Sequence, residues 1–309
     1  MKTVLFDATQ LAYVAFYSEG LEGAENVLEM AARLAVGMLS RVLRIGMKVA
    51  SNRVVMCWDH KASKRREIYP EYKATRHRDD SEEKRDALRL MYSASERLRD
   101  HVFPEAGFLN QWQQEGIEAD DLQARGALDL SGAKIIVSSD EDMLQCLRPD
   151  VWLFHPSALY YTTLEDFTLK YGIEPEDWAR VKAIAGCDGD NVPGVAGVAE
   201  TTAARFLRGE LKQGTVKWNA IVEQYNEIMA RLPLVQLPFA ATAPVQWKRN
   251  ALSISNLKAA LSSIQAGRYL FDDRQLRSWQ AFIDGDMRDY KAFQAAMRSH
   301  FIKNREAGL

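Results

Sequence analysis

The chain has little of what several functional classes require. It holds three cysteines, Cys57, Cys146 and Cys187, an odd number at wide spacing and mostly in apolar surroundings. That argues against a disulfide framework and favours reduced thiols. Its five histidines, His60, His77, His101, His155 and His300, show no paired spacing, and no Cys/His pattern of the zinc type occurs. No role is assigned to them. No apolar run reaches the roughly 18 residues of a membrane span, and the start lacks the basic end and long apolar stretch of a signal peptide. The expectation is a cytoplasmic protein that meets no membrane. Charge of one sign is also lacking, since the formal net charge is −2. Bulk charge therefore does not indicate a nucleic-acid partner, although a dense acidic site can mask a basic surface. Internal repeats and low-complexity segments are absent.

What is present is a set of carboxylates at the ends of apolar runs. Asp7 follows Val4-Leu5-Phe6, Asp59 follows Val54 to Trp58, and Glu118, Asp120 and Asp121 form a third block; Asp140 with Asp142, and Asp188 with Asp190, form two more. In an α/β sheet such strand-end positions gather at the carboxyl edge, the usual place for chemistry. So many anions converge only with cations among them, and Mg²⁺ or Mn²⁺ takes oxygen ligands of this kind. Two such ions about 4 Å apart can activate water and stabilise a leaving oxygen at a phosphodiester. Asp7, Asp59, Glu118, Asp120 and Asp140 are expected nearest the ions, with Asp121, Asp142, Asp188 and Asp190 completing the second position or holding its water. Single acids also have structural uses: Asp121 can cap its helix, Asp142 can start one, and Asp190 can brace a loop. Asp7 and Asp140 have no obvious structural task.

The chain of 309 residues, 47% hydrophobic, is long enough for one large domain or two modest ones. Residues 3–6, 53–58, 134–139 and 151–155 read as strands. Helical periodicity marks 24–49, Ser81 to about Val102, and Ala119 to about Leu130. This alternation predicts a mainly parallel sheet covered by helices. After about residue 164 helices dominate, near 176–186, 200–209, 215–231, 255–265 and 287–303, with an irregular connection over Leu232 to Pro244. The predicted division is an α/β core over 1–175, with a basic segment at about 60–102, and a helical subdomain over 176–309. Trp152, Trp178, Trp247 and Trp279 read as packing residues. The run Tyr290, Phe293, Ala296, Met297 and Phe301 reads as a helix docking on the core, with Lys303 and Arg305 within reach of DNA.

Two segments suit phosphate. Lys61 to Arg78 carries seven Lys or Arg residues against Glu67 and Glu71, interleaved with Tyr69 and Tyr72. Such a mixture can neutralise phosphates and stack unpaired bases. Residues 186–207 place glycines at 186, 189, 194 and 197 between two helical runs, before Thr201-Thr202-Ala203. Backbone N–H groups there can hold a phosphate without reading a base.

In these blocks the chain resembles the structure-specific 5′ nucleases, which include flap endonucleases, phage 5′ exonucleases and the 5′ nuclease domain of bacterial DNA polymerases. The resemblance runs over about residues 3–210 through VLFDAT, MCWDHK, RREIYPEYKATR, GIEADDLQA, SSDEDML and GCDGDNVPGV, in that order. It implies a PIN-like fold with a helix-hairpin-helix (H3TH) motif at about 183–208. It also implies two Mg²⁺ or Mn²⁺ ions and a K⁺ site at the hairpin. Lys73 and Arg76 match the residues beside the scissile phosphate, while Arg65, Arg66, Tyr72, Gly194, Gly197 and Thr201 fall on DNA-binding positions. The implied activity is hydrolysis near a single-strand/duplex junction, giving 5′-phosphate products. The implied substrates are DNA with a 5′ flap, a 5′ overhang or an RNA-primed end, met by a monomer that works with replication proteins in primer or flap removal. The chain departs from the family in its last acidic block. Where bacterial and phage members write G-D-x-x-D-N, Cys187 takes the first acidic position and Asp188 lies one residue later; Ala199 replaces a common glycine. Two other readings remain open: a non-catalytic binder of branched nucleic acid, and a PIN-type ribonuclease.

Overall fold

The computed structural model describes residues 2–76, 81–266 and 272–286. Strand β1 (Lys2–Asp7) buries Val4, Leu5 and Phe6 in succession, as a strand covered on both faces does. Helix α1 (Ala8–Ser18) follows without a loop. Helix α2 (Val27–Val49) starts where the Asn26 side chain accepts the Glu29 N–H at 3.0 Å. Its buried stripe includes Met30, Leu34, Met38, Val42 and Ile45, the period its sequence predicts. Strand β2 (Val54–Cys57) and the short helix α3 (Ser63–Ile68) come next. Helix α4 (Glu82–Arg97) is capped by Ser81 and runs on through a wider turn at Leu98–Val102 into α5 (Phe103–Glu105). Then follow β3 (Gln111–Trp112), α6 (Ala119–Asp129), β4 (Ala133–Val137), β5 (Val151–His155) and β6 (Tyr160–Thr162). The remainder is helical: α7 (Leu164–Tyr171), α8 (Trp178–Ala185), α9 (Glu200–Leu207), α10 (Val216–Glu223), α11 (Tyr225–Val235), α12 (Ile254–Ser262) and α13 (Asp273–Asp284).

The six strands form one sheet in the order β3-β2-β1-β4-β5-β6. β4 and β5 pair in parallel, with Ile135 opposite Trp152 and Val137 opposite Phe154, while β6 returns antiparallel with Tyr161 opposite Phe154. The expected α/β sheet flanked by helices is therefore present, as a mixed sheet. Two of its strands, β3 and β6, have no counterpart in the sequence reading because two or three residues cannot display a period. Helix α1 is also new: ATQLAYVAFYS has no polar face to reveal it. The helix predicted over 215–231 is two helices meeting at Gln224. The irregular connection begins at Gln236, later than predicted, because α11 continues through Pro233 and buries Leu234 and Val235. The predicted helix over 287–303 lies outside the described residues.

The chain divides into two compact units, Met1–Met56 with Asp80–Gln111 and Trp247–Leu309, and Cys57–Asp79 with Trp112–Gln246. In the first, α2 packs against α1, α4 and α13. Phe108, Trp279 and Phe282 meet there edge to face, with centroids 6.5 and 5.6 Å apart. In the second, α8 packs against α9 and α11, and Phe167, Tyr171 and Trp178 form the aromatic centre. Trp178 and Trp279 are fully buried, as expected, and the Trp178 indole donates to the Glu141 carbonyl at 2.8 Å. Trp152 and Trp247 are half-buried instead; the Arg53 guanidinium lies over Trp247 at 4.1 Å. Among the described residues no helix is long and apolar enough to cross a membrane.

Gly107 turns the chain with φ +98°, and a Cβ there would stand 2.3 Å from the Ala251 carbonyl oxygen. Gly107→Ala should destabilise the protein by well over the ~1 kcal/mol that separates Gly from Ala at compatible sites, read as a lower urea midpoint. An unchanged midpoint would mean that this turn is not held as described.

Candidate metal centre

The strand-end acids turn out to have structural tasks. Asp7 accepts the Gln10 N–H at 2.7 Å and caps α1 in the first unit. Asp140 accepts the Asp142 N–H at 2.8 Å and caps the turn Glu141–Cys146. The expectation that neither acid has such a task is corrected: a chain leaving a strand for a helical turn exposes N–H groups that a carboxylate satisfies. Asp59, at the end of β2, accepts the Ala119 N–H at 2.7 Å and so holds the start of α6. Each of these bonds uses one lone pair of a group with about four acceptor sites.

Helix α6 opens with the third acidic block. Glu118 and Asp121 form a reciprocal capping box, and ligand atoms of Glu118, Asp120 and Asp121 lie within 4.8 Å of one another. Arg65 makes this crowding tolerable. It is 2% exposed and Asp121 is 0% exposed; Nη2 donates to Asp121 Oδ1 at 2.8 Å, while Nη1 meets Asp121 Oδ2 and, at 3.1 Å, Glu118 Oε2. Arg65 Nε also donates to the Leu234 carbonyl at 3.0 Å, and Asp121 Oδ1 accepts the Phe239 N–H at 2.7 Å. The Tyr72 hydroxyl lies 2.9 Å from Glu118 Oε2 and 3.1 Å from Asp190 Oδ2. Lys73 pairs with Glu118 and lies 3.5 Å from Asp190. Burial opposes ionisation of Glu118, but the Lys73 and Arg65 charges outweigh it and hold this carboxyl below its ordinary range. Asp120 is pushed well up, by withdrawal from water and then by Asp121 and Glu118.

A second cluster joins Asp142, Cys187 and Asp190, whose ligand atoms also lie within 4.8 Å of one another. Asp142 is 8% exposed, and burial with the neighbouring Asp140 raises its pKa to about 6 against the pull of Lys182. Lys182 Nζ stands 2.9 Å from Asp142 Oδ1 and 3.0 Å from Glu200 Oε1. Burial and the adjacent Asp190 and Asp142 push the Cys187 thiol up to about 11. Asp188, expected among the ligands, lines instead a depression with Ala185, Gly194 and Val195 to Ala199. Cys187 joins the cluster through register: its N–H and carbonyl both bond Val192, at 2.8 and 3.0 Å, closing the loop around Asp190.

The basic segment is tied to this region by backbone. Lys73, at φ 56°, donates its N–H to the Asp190 carbonyl at 2.9 Å. Asn191 donates to the Glu71 carbonyl at 2.8 Å; Arg76 donates to the Gly189 carbonyl at 3.1 Å and to Asp190 Oδ1 at 2.8 Å. Arg65 and Tyr72, expected on the strand-gripping surface, are interior, whereas Arg66 and Arg76 are exposed. His77 and Arg78 lie outside the described residues. Sequence reasoning overlooked Lys182; its signal was a cation two residues after the exposed Arg180, on the apolar side of the run Trp178 to Ala185.

Between α8 and α9 the glycines do what tight approach requires. A Cβ on Gly194 would lie 2.0 Å from the Ala185 carbonyl oxygen, and Gly197 sits at φ +74°. Val195 donates to the Ile184 carbonyl at 2.8 Å. Ala199 is the N-cap of α9 and has no side-chain acceptor to offer, while Thr201 is exposed in the first turn.

A family model described as the 5′-3′ exonuclease, N-terminal resolvase-like domain, matches residues 2–172. That is more than half of the chain, which therefore belongs to this nuclease family. The thermostable DNA polymerase I of Thermus thermophilus is 31% identical over 211 residues, 67% of this chain and 24% of the polymerase. The chain thus spans about a quarter of the length of that relative. Bacteriophage T5 5′-exonuclease with bound zinc superposes with a TM-score of 0.64 at 18% identity, covering 85% of this chain and 98% of that one. The T5 flap endonuclease in a pseudo-enzyme–product complex with DNA and metal ions gives 0.63 at 17%, covering 93% and 99%. At these identities the two structures establish the fold.

Arg65→Met removes the counter-ion of Asp121 and leaves a buried carboxylate unpaired, which should cost about 3–5 kcal/mol in chemical denaturation. A loss under about 1 kcal/mol, the range of exposed pairs, would show that Arg65 does not hold the cluster together.

Proposed function

We propose that this chain is a divalent-metal-dependent 5′ nuclease, cutting DNA near the junction of a 5′ single strand with duplex. The observation that carries the reading is Lys73. Its ammonium lies against both Glu118 and Asp190, so acids from blocks some 70 residues apart share one cation with the basic segment. The donor set fits Mg²⁺ or Mn²⁺ at Glu118 and Asp120, with Asp59 and Asp140 supplying further oxygen donors; Asp142 and Asp190 are donors for a second ion. Bound divalent ions would supply Lewis acidity and a more acidic water.

The remaining work falls to the protein's own groups. Lys73 and Arg76 donate to the scissile phosphate and stabilise the negative charge that develops on it. Asp121 is a positioning residue that holds Arg65 and the start of α6. Arg66 and the exposed face of the basic segment neutralise the single strand. The hairpin from 183 to 208, an H3TH-type element within a helical subdomain, holds duplex phosphates through backbone N–H groups at Gly194, Gly197 and the Thr201 turn, with K⁺ a suitable companion ion. DNA with a 5′ flap, a 5′ overhang or an RNA-primed end is the proposed substrate. Primer or flap removal in the cytoplasm, by a monomer alongside replication proteins, is the proposed setting.

A labelled 5′-flap duplex incubated with Mg²⁺ or Mn²⁺ should yield 5′-phosphorylated products, and chelation should stop the reaction. Tight binding without product would support a non-catalytic binder instead; cutting confined to single-stranded RNA would support a PIN-type ribonuclease. Asp140→Ala should reduce cleavage to background with junction binding retained. Lys73→Ala should lower kcat about 10²–10³-fold, as losing one preorganised donor does, with a smaller change in binding. Turnover preserved in Asp140→Ala would remove that acid from the site.

A further inference from the structure

The cluster of Asp142, Cys187 and Asp190, read above as donors for a second ion, includes a sulfur donor. Cys187 stands where the resembled family writes its first acid, and its Sγ lies within 4.8 Å of ligand oxygens of Asp142 and Asp190. Its backbone is fixed on both sides, through the N–H and carbonyl bonds to Val192 and through its carbonyl, which accepts the Asp190 N–H at 3.1 Å. The residue is half-buried and so within reach of an ion from solvent. Asp142, 8% exposed, faces the same place, and its Oδ1 has the Lys182 ammonium at 2.9 Å. That ammonium also has Glu200 at 3.0 Å, a carboxylate that can keep it when a divalent ion takes Asp142.

We propose that Cys187 is a direct thiolate ligand at this position, completing it with Asp142 and Asp190, and that the position prefers thiophilic divalent ions of the Zn²⁺ and Co²⁺ class over Mg²⁺. The inference rests on the metal-nuclease reading. Mg²⁺ requires near-octahedral oxygen coordination and gains little from sulfur, whereas Zn²⁺ and Co²⁺ bind mixed sulfur and oxygen donors well. On binding, the thiol proton passes to solvent and one metal–sulfur bond forms, with no change of oxidation state. The absence of Cys/His zinc spacing in the sequence does not bear on such a site, because its donors come from α8's trailing loop and from the strand-end block 45 residues earlier.

The test is Co²⁺ titration of the whole, reduced protein by absorption spectroscopy, with calorimetry of Zn²⁺ and Mg²⁺ in parallel. A thiolate-to-cobalt charge-transfer band should appear in the wild type and be absent from Cys187→Ser, while the other thiols, Cys57 and Cys146, are buried and unchanged. Cys187→Ser should weaken Zn²⁺ by about tenfold or more, a loss that even outer-shell substitutions reach. Cys187→Asp should lose the band and raise Mg²⁺ affinity, and circular dichroism of both variants verifies folding. Saturable Co²⁺ binding without the band, or a band that survives in Cys187→Ser, overturns the inference; if the protein still cuts a flap with Mg²⁺, the nuclease reading stands. Neither ion binding nor cleavage overturns both.

Discussion

The buried pair of Arg65 with Asp121 is the constraint on which the second unit's acidic region depends. Asp121 has no exposure, and its two oxygens together meet both terminal nitrogens of Arg65, the Glu118 N–H and the Phe239 N–H. Arg65 in turn holds the Leu234 and Gln236 carbonyls. One ion pair therefore fixes α3, the start of α6 and the chain after α11 together. Its net contribution to stability is small, because desolvation offsets most of the attraction. Its effect is on position: Glu118 and Asp120 stand at the mouth of α6 only while Asp121 is anchored behind them.

The cations are divided by how replaceable they are. Arg65 is enclosed and spends its donors on the interior. Lys73, Arg76 and Lys182 each have at least one partner besides an acid of the clusters: Lys73 lies over the Tyr72 ring, Arg76 bonds the Gly189 carbonyl, and Lys182 reaches Glu200. These three can release a cluster acid without being stranded in low dielectric, which an unpaired buried charge cannot tolerate. Asp190, engaged by Tyr72, Lys73 and Arg76 at once, is the point at which that exchange would be felt most.

Much of this was legible in the sequence, for reasons that can be stated. A strand buried on both faces is a run of apolar residues, so β1, β2, β4 and β5 announced themselves, and with the first three of these the acids just beyond their ends. Helix α2 showed its apolar period, and α4 a charged face and a capping serine. Strand β3 and helix α1 did not, one for want of length and the other for want of polarity. At the site, residue type identified the acids but could not rank them, since exposure is decided by partners from remote segments. Arg65 and Arg66 are neighbours of one type in one basic run, yet one is interior and the other exposed. In the register of the last acidic block the sequence showed Cys187 at the first acidic position and Asp188 displaced by one residue, but not that the Cys187 sulfur stands with Asp142 and Asp190.

That register carries a general consequence for charge. A carboxylate at position 187 would add a fourth anion to a place already holding Asp140, Asp142 and Asp190, where like charges and burial lift the Asp142 pKa to about 6. A thiol adds none while protonated, and the Cys187 proton is held by burial and by Asp190 and Asp142. The metal-free protein is thereby relieved of one repulsion. The cations are distributed by residue: Glu118 is met by Arg65, Lys73 and the Tyr72 hydroxyl, Asp142 by the ammonium of Lys182, shared with Glu200, and Asp190 by Lys73, Arg76 and the Tyr72 hydroxyl, so the acids around Cys187 are already matched by cations without a third charge among the ligands.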